Sequence, residues 1–493
     1  MKNKVQLITY IDRLSGGGIA DLAALLRGPL QGLFSGVHLL PFFHPIDGAD
    51  AGFDPVDHGQ VDPRLGSWQD IRALGEDIGL MADLIANHIS RASPQFRDYL
   101  AHGKDSAWAG LFLTRDRVFS HGATQAELQA IYRPRPGLPF CEVKLNNGEK
   151  VQLWTTFTSG QIDIDVTHPL GKEYLDSILM TFAANGIRMV RLDAVGYTIK
   201  QPGSTCFMLP ETIDYIAELS SRVRGLGMEV LVEIHAHYSK QIEIARQVDW
   251  VYDFALPPLV LHAFFFHTAQ TLKQWLKIRP VNALTVLDTH DGIGVIDIGA
   301  GLDESPGLVP TQELDQLVEA IHSNSMDQSR LATGAAASNL DLYQINCTYY
   351  DAMERDDLKY LLARALQFFV PGIPQIYYVG LLAGENDMDL LQRTKIGRDI
   401  NRHHYTPEEV ESALQRPVVK SLCALVRLRN AHPAFQGMFR LVESGSDELA
   451  LRWENEEDFA ELMIGFSDCR YHLCISAGGE GRAIDLLAFH NTD

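Results

Sequence analysis

Short apolar runs alternate along most of this chain with longer stretches in which apolar residues recur at helical spacing. Eight runs read as strands, at 5–10, 36–42, 80–87, 187–194, 229–235, 250–254, 284–290 and 373–379. Between them, stretches such as 19–30, 172–185, 211–226 and 358–369 carry the i, i+3, i+4 pattern of amphipathic helices. A strand that is apolar throughout, rather than alternating, is covered on both faces, which is the condition of a parallel sheet flanked by helices. Eight such units can close, so the pattern predicts an α/β fold, a (β/α)8 TIM barrel. Gly186 and Gly227 fall where helices should end just before the next strand.

Two intervals are too long for plain crossovers. Residues 88–167 lack barrel periodicity and carry turn chemistry at Arg133-Pro134-Arg135-Pro136-Gly137, which predicts an inserted domain after strand three. Residues 292–350 predict a second insertion, after strand seven. The barrel is then assigned to 1–87, 168–291 and 351–433. From 434 to 493 the pattern turns to period two (439–442, 449–453, 459–464, 471–476), a small antiparallel β domain.

The chemistry gathers where four apolar runs stop. Asp83-Leu84-Ile85-Ala86-Asn87-His88, Arg191-Leu192-Asp193, Glu229-Val230-Leu231-Val232-Glu233-Ile234-His235 and Leu287-Asp288-Thr289-His290-Asp291 each deliver an acid or a histidine at a strand end. In a barrel this is the catalytic mouth. Three carboxylates with Arg191, His88 and His290 at one mouth suit sugar chemistry, and a glycosidic bond is broken between two carboxyls, one nucleophilic and one able to carry a proton. Arg191 and Asp193, two apart on a strand, share a face. A guanidinium there is expected to hold Asp193 ionised as nucleophile. Glu233 is the candidate acid/base. Asp291, beside His290, would stabilise an oxocarbenium-like transition state. Asp288, inside its run, is read as structural.

Charge narrows the partners. The chain has 493 residues, with Lys+Arg 42 against Asp+Glu 63 and a net charge of −21. Such a field disfavours nucleic acid and anionic membranes, and no apolar segment approaches a membrane span. Six scattered cysteines show neither a disulfide framework nor a metal site. No secretory leader is evident, so a cytoplasmic protein is expected. Gly16-Gly17-Gly18 lacks the Lys-Ser/Thr of a phosphate loop and reads as a turn. His235-Ala236-His237 and His403-His404 are not read as metal pairs, and neither a metal nor another cofactor is expected.

These strand-end segments resemble the α-amylase superfamily of retaining glycosidases and transglycosylases. Segments 2–10, 47–55, 132–140, 285–299, 335–344 and 397–402 resemble, more narrowly, the sucrose phosphorylases. The likeness runs to about residue 416 and is weaker over the C-terminal β domain. It implies the same roles for Asp193, Glu233 and Asp291, and a glucosyl site formed by Asp50, Phe53, His88, Arg191, His290 and Arg398. It also implies an acceptor side of Phe157, Gln161, Tyr197, His235, Leu342, Tyr343 and Gln344, with Arg135 meeting phosphate. The implied partners are sucrose, inorganic phosphate, glucose 1-phosphate and fructose, with the protein a monomer or homodimer. The competing readings are a sibling phosphorylase acting on a phosphorylated sucrose or glucosylglycerate, a retaining α-glucosidase, and a non-catalytic amylase-fold protein. The first would call for more basic residues than Leu342-Tyr343-Gln344 supplies, and the last for loss of a catalytic carboxylate.

Overall fold

The computed structural model describes residues 2–134, 137–301, 304–333, 344–477 and 480–489. All eight predicted strands form, and they close one parallel barrel. They are β1 (Gln6–Thr9), β2 (Gly36–Leu39), β3 (Gly79–Ile85), β4 (Ile187–Asp193), β5 (Glu229–Val232), β6 (Trp250–Asp253), β7 (Ala283–Thr285) and β8 (Ile373–Tyr377). Each pairs with its chain-order neighbours, and β1 pairs with β8 to complete the ring. Their apolar residues are buried because helices such as Ile19–Arg27, Pro169–Ala184 and Asp357–Phe369 cover the outside. Gly186 (φ +81°) and Gly227 (φ +78°) take the left-handed conformation after their helices, which a side chain would strain.

The paired strands are shorter than their apolar runs. β3 stops at Ile85, and β7 stops at Thr285 although Val286 and Leu287 remain buried. Apolar character reports burial, and the chain stays buried for a few residues after it leaves the ladder to build the mouth.

Register fixes which side chains meet. In the β3–β4 pair Arg191 lies opposite Asp83, and Asp193 opposite Ile85. Arg191 and Asp83 therefore sit at one level of the barrel.

The segment after β3 contains a hairpin, Phe140–Lys144 with Lys150–Trp154, and a short pairing of His88–Ser90 with Gln161–Asp163. In the segment after β7, Ile293–Gly294 pairs with Gln344–Ile345, and Thr311–Asn324 forms a helix. At the C-terminus, β9 (Met438–Val442), β10 (Glu448–Asn455), β11 (Asp458–Gly465), β12 (Tyr471–Ala477) and β13 (Glu480–Ala483) form an antiparallel meander. The sequence pattern predicts the first four of these strands. It misses β13, Glu-Gly-Arg-Ala, because that strand is exposed along its length and has no apolar face. Among the described residues, no helix is long and apolar enough to cross a membrane.

Candidate active site

Arg191 is the hub of the mouth. Its Nη1 donates to Asp83 Oδ1 at 2.6 Å and to Asp193 Oδ1 at 2.8 Å, and its Nη2 lies 3.9 Å from Glu233 Oε1. One buried guanidinium thus touches both carboxyls that the sequence singles out. Asp83 is fully buried and also accepts from His38 Nε2 at 3.0 Å. Burial opposes its charge, but His38 and Arg191 outweigh that and hold Asp83 well below the usual carboxylate range.

Asp193 is under opposing influences. Burial pushes its carboxyl well above the usual range; Arg191 pulls back, and Glu233, Asp83 and Asp291 push further. The physical reason is that Arg191 already balances Asp83, so its single charge is divided among several acids.

Asp291 has its own cations. Its Oδ1 is 3.0 Å from Arg398 Nη1 and 3.9 Å from Arg402 Nη2. Against the opposing effect of burial, these arginines keep Asp291 charged far below the normal range. Arg398 also reaches Asp50 Oδ2 at 3.1 Å and Gln344 Oε1 at 3.3 Å. The loop holding Asp50 is strained: Asp50 (φ +50°) and Ala51 (φ +55°) are both left-handed, where non-glycine residues pay about 1–2 kcal/mol each. Arg64 brackets this loop by bonding Asp47 and Asp62, both at 2.7 Å. Phe53 stacks on His290 (4.8 Å, 8°) and sits 5.6 Å from the Arg191 guanidinium carbon. The phenyl ring offers a flat apolar floor suited to the C–H face of a sugar.

One pocket gathers most of the predicted residues. Asp50, Phe53, His88, Phe157, Gln161, Asp193, Tyr197, Glu233, His235, His290, Asp291, Gln344 and Arg398 all line it. Arg191 does not line it but bonds Asp193, which does. His88 Nε2 donates to the Phe53 carbonyl at 2.9 Å, with the Gln161 amide 3.1 Å from the same nitrogen. Phe157 packs edge-on between His88 and Tyr197, and Tyr197 leans on Phe207. Burial lowers the pKa of His88, and lowers that of His290 to about 3, so both rings are neutral near pH 7. Arg135, Leu342 and Tyr343 lie outside the described residues.

Several pocket or supporting residues escape the sequence reading. Tyr132, Pro134 and Phe207 line the aromatic wall. Asp83 and Arg402 had signals, since each lies at one end of a motif already noted, and Asp297, described below, lies inside the segment 285–299. Asp288 is structural as expected, its Oδ2 taking Arg364 Nη2 at 2.6 Å in the core. Glu233, His235 and Asp291 bring one ligand-type atom each within 4.8 Å of one another. His235 has its pKa raised to about 8, since Asp297 outweighs the opposing effect of burial. His403 Nδ1 bonds Asp387 Oδ2 at 2.6 Å.

A closed parallel barrel whose mouth holds two carboxyls on one arginine, and a third acid on two more, is the architecture of the α-amylase type. The model of the α-amylase catalytic domain matches residues 30–255. Sucrose phosphorylase of Agrobacterium vitis is 59% identical over 467 residues, covering 95% of this chain and 96% of its own. That of Bifidobacterium adolescentis is 52% identical, covering 94% and 92%. The crystal structure of sucrose 6F-phosphate phosphorylase from Thermoanaerobacter thermosaccharolyticum superposes with a TM-score of 0.90 at 36% identity, covering 98% of each chain. The chain belongs to the sucrose phosphorylase family.

Proposed function

We propose that this chain catalyses the reversible, retaining phosphorolysis of sucrose to α-glucose 1-phosphate and fructose. The observation that carries the reading is the shared contact of Arg191 with Asp193 and Glu233 at the barrel mouth. Asp193 attacks the anomeric carbon while Glu233 gives its proton to the departing fructosyl oxygen, leaving glucosyl-Asp193 and free fructose. Phosphate then attacks the same carbon from the vacated side, Glu233 takes its proton, and Asp193 is released. Desolvation of Glu233 by the incoming sugar, with Asp193 still on the guanidinium, favours the arrangement this needs, a proton on Glu233 and the charge on Asp193. Asp291, kept anionic by Arg398 and Arg402, supports the positive charge at the anomeric carbon.

In this reading Asp50 and Arg398 hold glucosyl hydroxyls, Phe53 supports the ring, and His88 and His290 donate as neutral groups. Segments 88–167 and 292–350 roof the mouth and supply Phe157, Gln161, Gln344, Leu342, Tyr343 and Arg135. Among the described residues lining the pocket, Arg398 is the single Lys or Arg. Because it is engaged by two acids, the pocket as described suits a neutral fructosyl group better than a phosphorylated one. The free state of all six cysteines fits a reducing cytoplasm. The deciding assay is release of glucose 1-phosphate from sucrose in phosphate buffer, compared with release of free glucose. Equal glucose release with and without phosphate, and no glucose 1-phosphate, would make the chain a glucosidase.

A further inference from the structure

His235 differs from the other two histidines of the pocket in what stands behind it. Its ring stacks on Phe254 (3.9 Å, 17°), its Nδ1 is 3.0 Å from Asp297 Oδ2, and its Nε2 lies 3.7 Å from Glu233 Oε1. Asp297 is fully buried and does not line the pocket. Its other oxygen accepts from the Ala236 N–H at 3.3 Å and from Gln241 Nε2 at 3.0 Å. The approach is close: a Cβ on Gly294 would stand 2.6 Å from Asp297 Oδ2 and 3.0 Å from His235 Nδ1. A carboxylate only accepts hydrogen bonds, so the proton on Nδ1 is fixed there.

We propose that Asp297 is a positioning residue that holds His235 as a cation, with Nδ1–H toward itself and Nε2–H toward the pocket, where it receives phosphate and steadies Glu233. The charged groups facing the ring are Asp297, Glu233 and Asp291, and all three favour the cation. His88 and His290 have no such carboxylate bonded to the ring and are neutral near pH 7. The inference rests on the phosphorolysis reading for its consequence, though not for its geometry. A phosphate dianion entering beside Asp193, Glu233 and Asp291 needs a charge-assisted donor, and Arg191 and Arg398 are committed to carboxylates. His235 carries such a donor below about pH 8 and loses it above.

The test compares wild type, Asp297→Asn and Gln241→Met across pH 6–9. Each variant is assayed for sucrose phosphorolysis over a phosphate titration and for sucrose hydrolysis without phosphate. Phosphate's own titration is common to all three and cancels in the comparison. At pH 7, Asp297→Asn should raise the phosphate KM about tenfold and lower the ratio of glucose 1-phosphate to glucose at least roughly fivefold. The alkaline limb of kcat/KM for phosphate should move to lower pH by about one unit or more. The His235 imidazole, followed by NMR in the ligand-free enzyme and assigned by difference with His235→Gln, should move with it. Gln241→Met removes a competing donor from Asp297, so its limb should stay in place or move to higher pH. An unchanged phosphate KM and limb in Asp297→Asn would overturn the proposal. So would equal losses of hydrolysis and phosphorolysis with an unmoved imidazole, or an acid shift in Gln241→Met. If wild type makes no glucose 1-phosphate, the phosphorolysis reading falls, while the NMR titration still decides the coupling of Asp297 to His235.

Discussion

Lys200 is a buried ammonium that ties three parts of the chain together, and removing it should cost stability first and substrate affinity second. Its Nζ lies 2.5 Å from Asp163 Oδ2 and 2.8 Å from Asn87 Oδ1, with the side chains of Lys200 and Asp163 2% and 0% exposed. Asn87 follows β3, Asp163 lies in the segment that pairs with His88–Ser90, and Lys200 follows β4. Lys200→Met keeps the length and apolar stem but leaves the Asp163 carboxylate buried without a cation. Breaking one side of a buried pair costs about 3–5 kcal/mol. Here the Thr156 N–H (2.9 Å) and hydroxyl (2.5 Å) still serve Asp163 and offset part of that, which leaves about 2–4 kcal/mol. At an unfolding entropy of about 2.1 cal/mol/K per residue, a chain of 493 residues gives about 1 kcal/mol per degree, so Tm should fall by about 2–4 °C. Gln161 and Phe157 lie on the same segment and face the pocket, so the sucrose KM should rise severalfold while kcat holds. The assay is denaturant unfolding of Lys200→Met, Asp163→Asn and the double variant. A coupling energy of about 1.5 kcal/mol or more between the two positions is expected. If Lys200→Met unfolds within about 0.5 kcal/mol of wild type, or the two effects simply add, the reasoning about this pair is wrong.

Asp193→Asn should abolish sucrose turnover with the fold intact, and mass spectrometry of wild type trapped with a fluorinated glucosyl donor should find the label on Asp193; a label on Glu233 or Asp291 reverses the assignment. Glu233→Gln should still accept glucose from a donor whose leaving group needs no proton, accumulate the intermediate and be relieved by azide; near wild-type turnover of sucrose would exclude it as acid/base. Arg135→Ala should weaken apparent phosphate affinity roughly ten- to a hundredfold and raise the share of hydrolysis; an unchanged product ratio at subsaturating phosphate would make it a surface cation. Asp54 is buried and beside Asp50, and burial first, then the Asp50 charge, raise its pKa to about 7. A carboxyl raised on folding costs nothing below its unfolded pKa near 4 and progressively more up to about pH 7, so Asp54→Asn should raise Tm at pH 8, by at most about 4 kcal/mol of stability, and leave it unchanged at pH 4. Equal effects at both pH values would remove the linkage.

The barrel was legible because its signal is redundant: eight apolar runs, the helices between them and the acids at the run ends all point to the same architecture. Strand ends were less so, as at β7, where Val286 and Leu287 are buried without being paired. The catalytic acids could be read one at a time, since each sits at the end of a run. What could not be read is how charge is divided among them. Two residues of spacing put Arg191 beside Asp193 correctly, but nothing local says that Asp83, over a hundred positions earlier, draws on the same guanidinium through the β3–β4 register. Asp297 was invisible for a similar reason. It lies inside a segment the sequence does single out, but its role arises only where the segment after β7 folds back against the loop after β5.

The division of charge bears on why a glucosyl-enzyme would meet phosphate rather than water. Arg191 is committed to Asp83 and Asp193, and Arg398 to Asp50 and Asp291. Arg402 is held by the His290 carbonyl at 2.9 Å and shares Asp291 and Asp50. These guanidiniums are spent on keeping carboxylates usable, and a pocket equipped with them alone would repel a dianion while admitting water. The preference for phosphate must then come from cations other than these guanidiniums. Arg135, set between two prolines in the sequence, and the Asp297-backed His235, in the loop after β5, are the two candidates. It follows that removing either should shift the products toward glucose, and removing both should leave a working retaining hydrolase.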